Sequence, residues 1–344
     1  MSPDIALCYR HGDDAPPNPA AESLSAEDRQ HVIRYMVRKL SDSQSRLETS
    51  SITDAMNDTL AGTVKRVRDI RQMLTRNRLR VALQPIVFLA DRRIHHYEAL
   101  ARPTDGEAPA GLIGFAEEIG LSADFDLLMC RKVIDILTRG ADSGSMPSIA
   151  LNISAASLES EQFVEAFRKL LAGDRRLRDN LLIEVTESMR IRDLESTNAA
   201  LGRLRGDGHK VCLDDFGAGA SSLHYIRALE VDFVKIDGAY VKRLEFSARD
   251  RAILKAMASL CAELDVGIVA EMIETEAQAD ILAGLGVQLG QGHLFGKPSL
   301  DVAFAPVAAT QPATSRADRP GEAAALACRR SFPPSRAFEL GGIG

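Results

Sequence analysis

From about residue 80 the chain alternates short, continuously apolar runs with segments whose apolar positions recur every three or four residues. The runs are VALQPIVF (81–88), SIALNIS (148–154), NLLIEVTE (180–187), HKVCLDD (209–215), DFVKID (232–237), VGIVAE (266–271) and VQLGQG (287–292). Between them lie LMCRKVIDILTR, LESEQFVEAFRKLL, RDRAILKAMASLCAEL and TEAQADILAGL, which read as helices. Apolar strands separated by helices predict a parallel sheet buried on both faces. Seven or eight such units in about 220 residues predict an α/β fold of the (β/α)8 TIM-like barrel type. A doubly wound open sheet is the alternative, although no GxGxxG or P-loop opens a helix after a strand.

Upstream, residues 25–76 carry a helical, largely polar pattern that starts at SAED. Met56, Leu60, Val64, Val67, Ile70 and Leu74 draw an apolar stripe along its second half, which is a docking face. That face can pack on its own domain, pair two copies into a homodimer, or meet another protein. The basic run from Lys65 to Arg80 reads as a solvated helix face. Residues 1–24 and 304–344 lack periodicity and read as a disordered leader and tail around a barrel domain at 77–303.

Composition narrows the partners. The chain has 344 residues, 45% hydrophobic and 26% charged, and a net charge of -6. It can bury a large core, and its charge supplies no broad reason to bind DNA. Five cysteines without CxxC spacing fit reduced thiols, and neither a signal peptide nor a membrane-length apolar run is present. The expected location is the cytoplasm.

Active sites of such barrels form at the C-terminal ends of the strands. Asn152, Glu184, Asp214, Asp215, Lys235, Glu271 and Gln291 all end predicted strands, and Glu98 lies on a second strand in HHYEALAR. Any one of them alone reads as a helix cap or solvated loop residue. Together, five carboxylates at one mouth need compensating cations. Alternation along a strand lets the adjacent Asp214 and Asp215 face two directions. Oxygen donors without His or Cys suit two Mg²⁺ or Mn²⁺ ions, and paired ions about 3.5–4 Å apart serve displacement at phosphorus. Lys235 could then hold or deprotonate water, or neutralise a phosphate oxygen. Enolase-like proton abstraction and a Schiff base on Lys235 are rivals, but neither accounts for the doubled aspartate.

These motifs, in order, resemble the EAL-domain cyclic di-GMP phosphodiesterases over Leu79 to Pro298. The resemblance rests on Glu98-Ala99-Leu100, QPIV at 84–87, FAEEIGL at 115–121, LNIS at 151–154 and IEVTE at 183–187. It continues through DDFGAGASSL at 214–223, VKID at 234–237, AEMIET at 270–275 and QGHLFGKP at 291–298. It implies hydrolysis of cyclic di-GMP to pGpG with two Mg²⁺ or Mn²⁺ ions, in a dimer whose loop after Asp215 links the metal site to the dimer face. By matching position it makes Glu98, Asn152, Glu184 and Asp214 ligands of one metal, with Asp214 shared and Asp215 on the second. Lys235, Glu271 and Gln291 would complete the inner site, Gln84 and Arg102 would contact substrate, and Glu187 would anchor the loop. Pro103, Met272, His293 and Lys297 depart from the family pattern without deleting a ligand. A receptor or scaffold that binds cyclic di-GMP without turnover, signalling through residues 25–76, is the alternative. His96 reads as core packing, while His209, His224 and His293 read as surface or loop residues.

Overall fold

The computed structural model describes residues 29–30, 32–33, 35–36, 52–104, 108–142, 146–186, 191, 193–217 and 222–302. The expectations for 1–24 and 304–344, and that for Glu187, lie outside the described residues. Eight strands form one closed barrel in sequence order: β1 (Leu79–Phe88), β2 (Ile94–Pro103), β3 (Ile149–Ile153), β4 (Leu181–Thr186), β5 (Lys210–Phe216), β6 (Phe233–Ile236), β7 (Gly267–Ala270) and β8 (Leu289–Gln291). The pairs from β2 to β8 are parallel. β1 is antiparallel to both neighbours, which corrects the expectation of an all-parallel sheet. The cause is local: only residues 89–93 separate β1 from β2, enough for a hairpin and too few for a crossover helix.

Alternation along the strands sorts the core into two compartments. Val211 and Leu213 of β5, and Val234 and Ile236 of β6, join the large apolar cluster shared with the surrounding helices. The intervening positions face the barrel interior, where Ile86, Val269 and Leu289 form a separate small cluster with Phe88 and Phe233. Lys210, Cys212 and Asp214 on β5 therefore share the parity of Phe233 and Lys235 on β6.

The helices follow from ordinary signals. In Glu161–Leu171 the buried Phe163, Val164, Phe167 and Leu171 line one face, and Ser160 caps the start by accepting from the Phe163 N–H. Burial of each such side chain contributes about 1.5–3 kcal/mol. Thr275 and Gln278 form a reciprocal capping box on Glu276–Gly284. The N-terminal helix Ile52–Thr75 buries Val64, Val67 and Ile70 in the main core, with Leu60 and Leu74 half-buried against it. Its stripe thus packs on its own domain, helped by Arg66, which donates to Gly111 O at 2.9 Å and lies over the Phe115 ring. No described helix is long and apolar enough to cross a membrane.

Candidate active site

At the mouth of the barrel one ammonium gathers the acidic side chains. Lys235 Nζ lies 2.6 Å from Glu184 Oε1, 2.7 Å from Glu271 Oε1, 3.2 Å from Asp214 Oδ1 and 3.3 Å from Glu98 Oε2. Each carboxylate comes from a different strand or strand end, so only closure of the barrel brings residues 98, 184, 214, 235 and 271 together. Glu98 is held further by two amides: Asn152 Nδ2 donates to its Oε1 at 2.9 Å, and Gln291 Nε2 donates to its Oε2 at 2.6 Å. Gln291 Nε2 also donates to Gln84 Oε1 at 3.1 Å, and Gln84 Nε2 to Gly296 O at 3.2 Å.

Asp215 reaches the same place by a different device. Strict alternation would turn it away from Asp214, yet ligand atoms of Asp214, Asp215 and Glu271 all lie within 4.8 Å of one another. Asp215 has φ 56°, a left-handed backbone, and the β5–β6 register shifts between Leu213 and Phe216. Aspartate tolerates this conformation better than most side chains. The expectation that the pair faces two directions is corrected: a one-residue kink returns Asp215 to the mouth beside Asp214.

Five carboxylates against one ammonium leave the cluster electrostatically unbalanced. Burial pushes Glu184 well above the usual carboxylate range, with Glu98 and Asp214 adding to the rise and Lys235 opposing it. Burial likewise takes Glu271 up to about 7 and raises Asp215, each with help from Asp214. For Glu98, burial is outweighed by Lys235 and by hydrogen bonds from Gln291 and Asn152, so its carboxyl lies low. Burial would lower Lys235, but Glu184, Glu98, Asp214 and Glu271 together hold it well above its ordinary value.

Among the described residues of this cluster, the unmatched atoms are all acceptors. Asn152 Oδ1, Glu184 Oε2 and Gln291 Oε1 are buried without a hydrogen-bond partner, while Glu184 Oε1 and Asp214 Oδ1 meet Lys235 as ion pairs only. Buried acceptors without donors cost about 1–3 kcal/mol each. Hard oxygen donors converging without imidazole or thiolate fit a Mg²⁺- or Mn²⁺-like cation.

A cavity of about 250 Å³ opens beside the cluster, lined by Gln84, Glu98, Leu100, Glu271, Met272, Glu274, Gln291, Gly292 and His293. Glu274 escaped the reading from residues because it sits in the loop after β7, where no strand or helix period flags it, and His293, read as a surface or loop residue, is exposed at the cavity wall. Arg102 lies two residues beyond Leu100 on the same face of β2, and its guanidinium donates to Ala101 O at 2.8 Å. His96 points inward below Glu98, 4% exposed, with Nδ1 2.6 Å from His95 Nδ1. Burial, His95 and Lys235 hold its pKa well below the usual histidine value. His209, read as a surface or loop residue, lies in the loop before β5 but is buried, with Nδ1 3.2 Å from Leu181 O. Of the cysteines, Cys130, Cys212 and Cys261 are described, and all are free and buried.

Behind the cluster, Asp126 on the helix Ser122–Asp142 braces the end of β3. Its Oδ2 accepts from both Ser154 N and Ser154 Oγ at 3.0 Å, two residues beyond Asn152. Met272, immediately after Glu271, adopts φ 55°. For an unbranched residue with a Cβ this costs roughly 1–2 kcal/mol.

Residues 67–298 match the family model described as "EAL domain". Among curated relatives, the Pseudomonas aeruginosa protein named cyclic di-GMP phosphodiesterase NbdA is 33% identical over 67% of this chain and 30% of its own length. The Escherichia coli protein named probable cyclic di-GMP phosphodiesterase PdeB is 34% identical over 63% of this chain and 42% of its own. The chain thus spans under half the length of either relative. A solved structure titled PaMucR phosphodiesterase, c-di-GMP complex, superposes with a TM-score of 0.62 at 32% identity, covering 68% of this chain and 97% of that one. A manganese and cyclic di-GMP complex of Klebsiella pneumoniae BlrP1 gives 0.57 at 31% identity, covering 64% and 56% respectively.

Proposed function

We propose, from the premise that this chain belongs to the EAL-domain family, that it hydrolyses one phosphodiester of cyclic di-GMP to give linear pGpG in a reaction dependent on Mg²⁺ or Mn²⁺. The observation that carries this reading is the convergence of Glu98, Glu184, Asp214, Asp215 and Glu271 around Lys235, with acceptor atoms that lack donors. Relatives and solved structures named for cyclic di-GMP support the substrate.

Glu98, Asn152, Glu184 and Asp214 would hold one cation, and Asp214, Asp215 and Glu271 a second. Bound there, such ions would supply Lewis-acid activation of water and neutralise charge on the phosphate. The chain's own groups divide the remaining work. Lys235, 2.6–3.3 Å from four of the carboxylates, is placed to hold the attacking water or to neutralise a phosphate oxygen. Glu271, 2.7 Å from Lys235 and within reach of Asp214 and Asp215, would help orient the attacking water from the side of the second cation. Gln291 and Asn152 fix Glu98 between them, and Gln84 is tied to Gln291 at the cavity wall. Gln84 and Gln291, which line the cavity with Glu274 and His293, would contact the substrate, as would Arg102 two residues beyond the cavity-lining Leu100. Glu187, outside the described residues, would anchor the loop after Asp215.

The test is to incubate the purified chain with cyclic di-GMP and Mn²⁺ and to separate the nucleotides by chromatography. Formation of pGpG that stops on chelation is expected. Saturable binding with no product under those conditions selects the receptor reading instead.

A further inference from the structure

Met272 stands where the chain leaves β7 for the barrel rim, and its backbone is left-handed although it is neither Gly nor Asn. The kink is clamped on both sides. Glu271 N donates to Ile236 O at 3.2 Å, and Ile273 N donates to Gln291 O at 3.0 Å, so one residue must absorb the turn between two anchored neighbours. A residue without a side chain would adopt this turn with less strain. The side chain nevertheless has a seat: a Cβ built on Gly238 would come within 2.3 Å of Met272 Cγ and 2.4 Å of Sδ. Gly238 follows Lys235 by three residues, after the cap Asp237. The thioether therefore joins the end of the strand that carries Lys235 to the end of the strand that precedes Glu271, and it still borders the cavity with 44% of its surface exposed.

We infer that Met272 is a positioning residue. Seated on the bare backbone of Gly238, it fixes the separation of the β6 and β7 ends and thereby the direction from which Glu271 reaches Lys235 and the two aspartates. Backbone strain is retained at functional sites when the surrounding structure over-determines it, and here two backbone hydrogen bonds and a side-chain contact do so. The inference deepens the proposed function and rests on it through Glu271.

Four variants of the full chain test it: Met272→Gly, Met272→Leu, Gly238→Ala, and Gly238→Ala combined with Met272→Gly. Mn²⁺ binding is followed by calorimetry without substrate, beside thermal unfolding and the separate kcat and KM for cyclic di-GMP. Met272→Gly is expected to leave the melting temperature unchanged or higher, to weaken Mn²⁺ binding roughly tenfold, and to lower kcat rather than raise KM. Met272→Leu, close in volume, should behave like the wild type. Gly238→Ala should weaken Mn²⁺ binding by displacing Met272, yet add nothing in the Met272→Gly background, where no side chain remains to be displaced. Unchanged binding in Met272→Gly, or additive effects in the double variant, overturns the inference while the proposed function stands. Wild-type protein that binds no Mn²⁺ removes both.

Discussion

A single residue separates Val269 from Glu271, Leu289 from Gln291, Phe233 from Lys235 and Cys212 from Asp214, yet each pair spans a change of chemistry. In the lower positions Ile86, Val269 and Leu289 pack with Phe88 and Phe233. Burial keeps His96 neutral and raises the Cys212 thiol well above its ordinary value. At the mouth, carboxylates crowd one ammonium and several acceptors lack donors. Each layer holds buried side chains, Glu98, Glu184, Lys235 and Gln291 above and Ile86, Val269 and Leu289 below, so burial does not distinguish them; satisfaction does. The unmatched acceptors cost the folded chain stability, which marks the upper arrangement as retained for chemistry, whereas the lower layer is ordinary core.

That contrast can be broken in order of effect. Glu98→Ala or Asp214→Ala should lower turnover more than about a hundredfold, beyond the cost of losing a residue merely behind a metal ligand, while circular dichroism stays native. Lys235→Met should destabilise the metal-free protein by about 3–5 kcal/mol in urea unfolding, because the carboxylates lose their shared counter-ion. In the lower layer, Leu289→Ala should cost about 2–5 kcal/mol of stability through a cavity, with turnover of the folded fraction much less affected than in Glu98→Ala.

A smaller effect sharpens the comparison from behind the cluster. Burial, against hydrogen bonds from Ser154 and Ser157, takes Asp126 up to about 6 from an ordinary 3.8. Between these values the folded chain keeps a proton that the unfolded chain has released. This contribution is therefore fully present below about pH 4, is lost as pH rises through about 6, and is flat above, a change of roughly 3 kcal/mol. Asp126→Asn, which keeps an acceptor for Ser154, should remove that slope from urea unfolding measured across pH 4 to 7.

Much of this was legible in the chain itself. The strand ends that carry Asn152, Glu184, Asp214, Lys235, Glu271 and Gln291 follow from apolar runs that stop on polar residues, and those side chains meet. The direction of β1 was less visible, because a run of apolar residues has no polarity of its own and only the short link 89–93 reveals the hairpin. The kinks at Asp215 and Met272 were hidden because the sign of φ is set by neighbouring strands rather than by the residue that bends. His209 looked exposed because it follows the polar turn 206–208, but it packs beside the start of β4, with Nδ1 3.2 Å from Leu181 O.

The central claim is that the unmatched oxygens at the mouth exist to hold divalent cations, and metal binding in the absence of nucleotide tests it most directly. Titrating the purified chain with Mn²⁺ by calorimetry should reveal two ions per chain and a raised melting temperature, with at least one ion lost in Asp214→Asn. No binding by the wild type, or binding unaffected by Asp214→Asn, would contradict it.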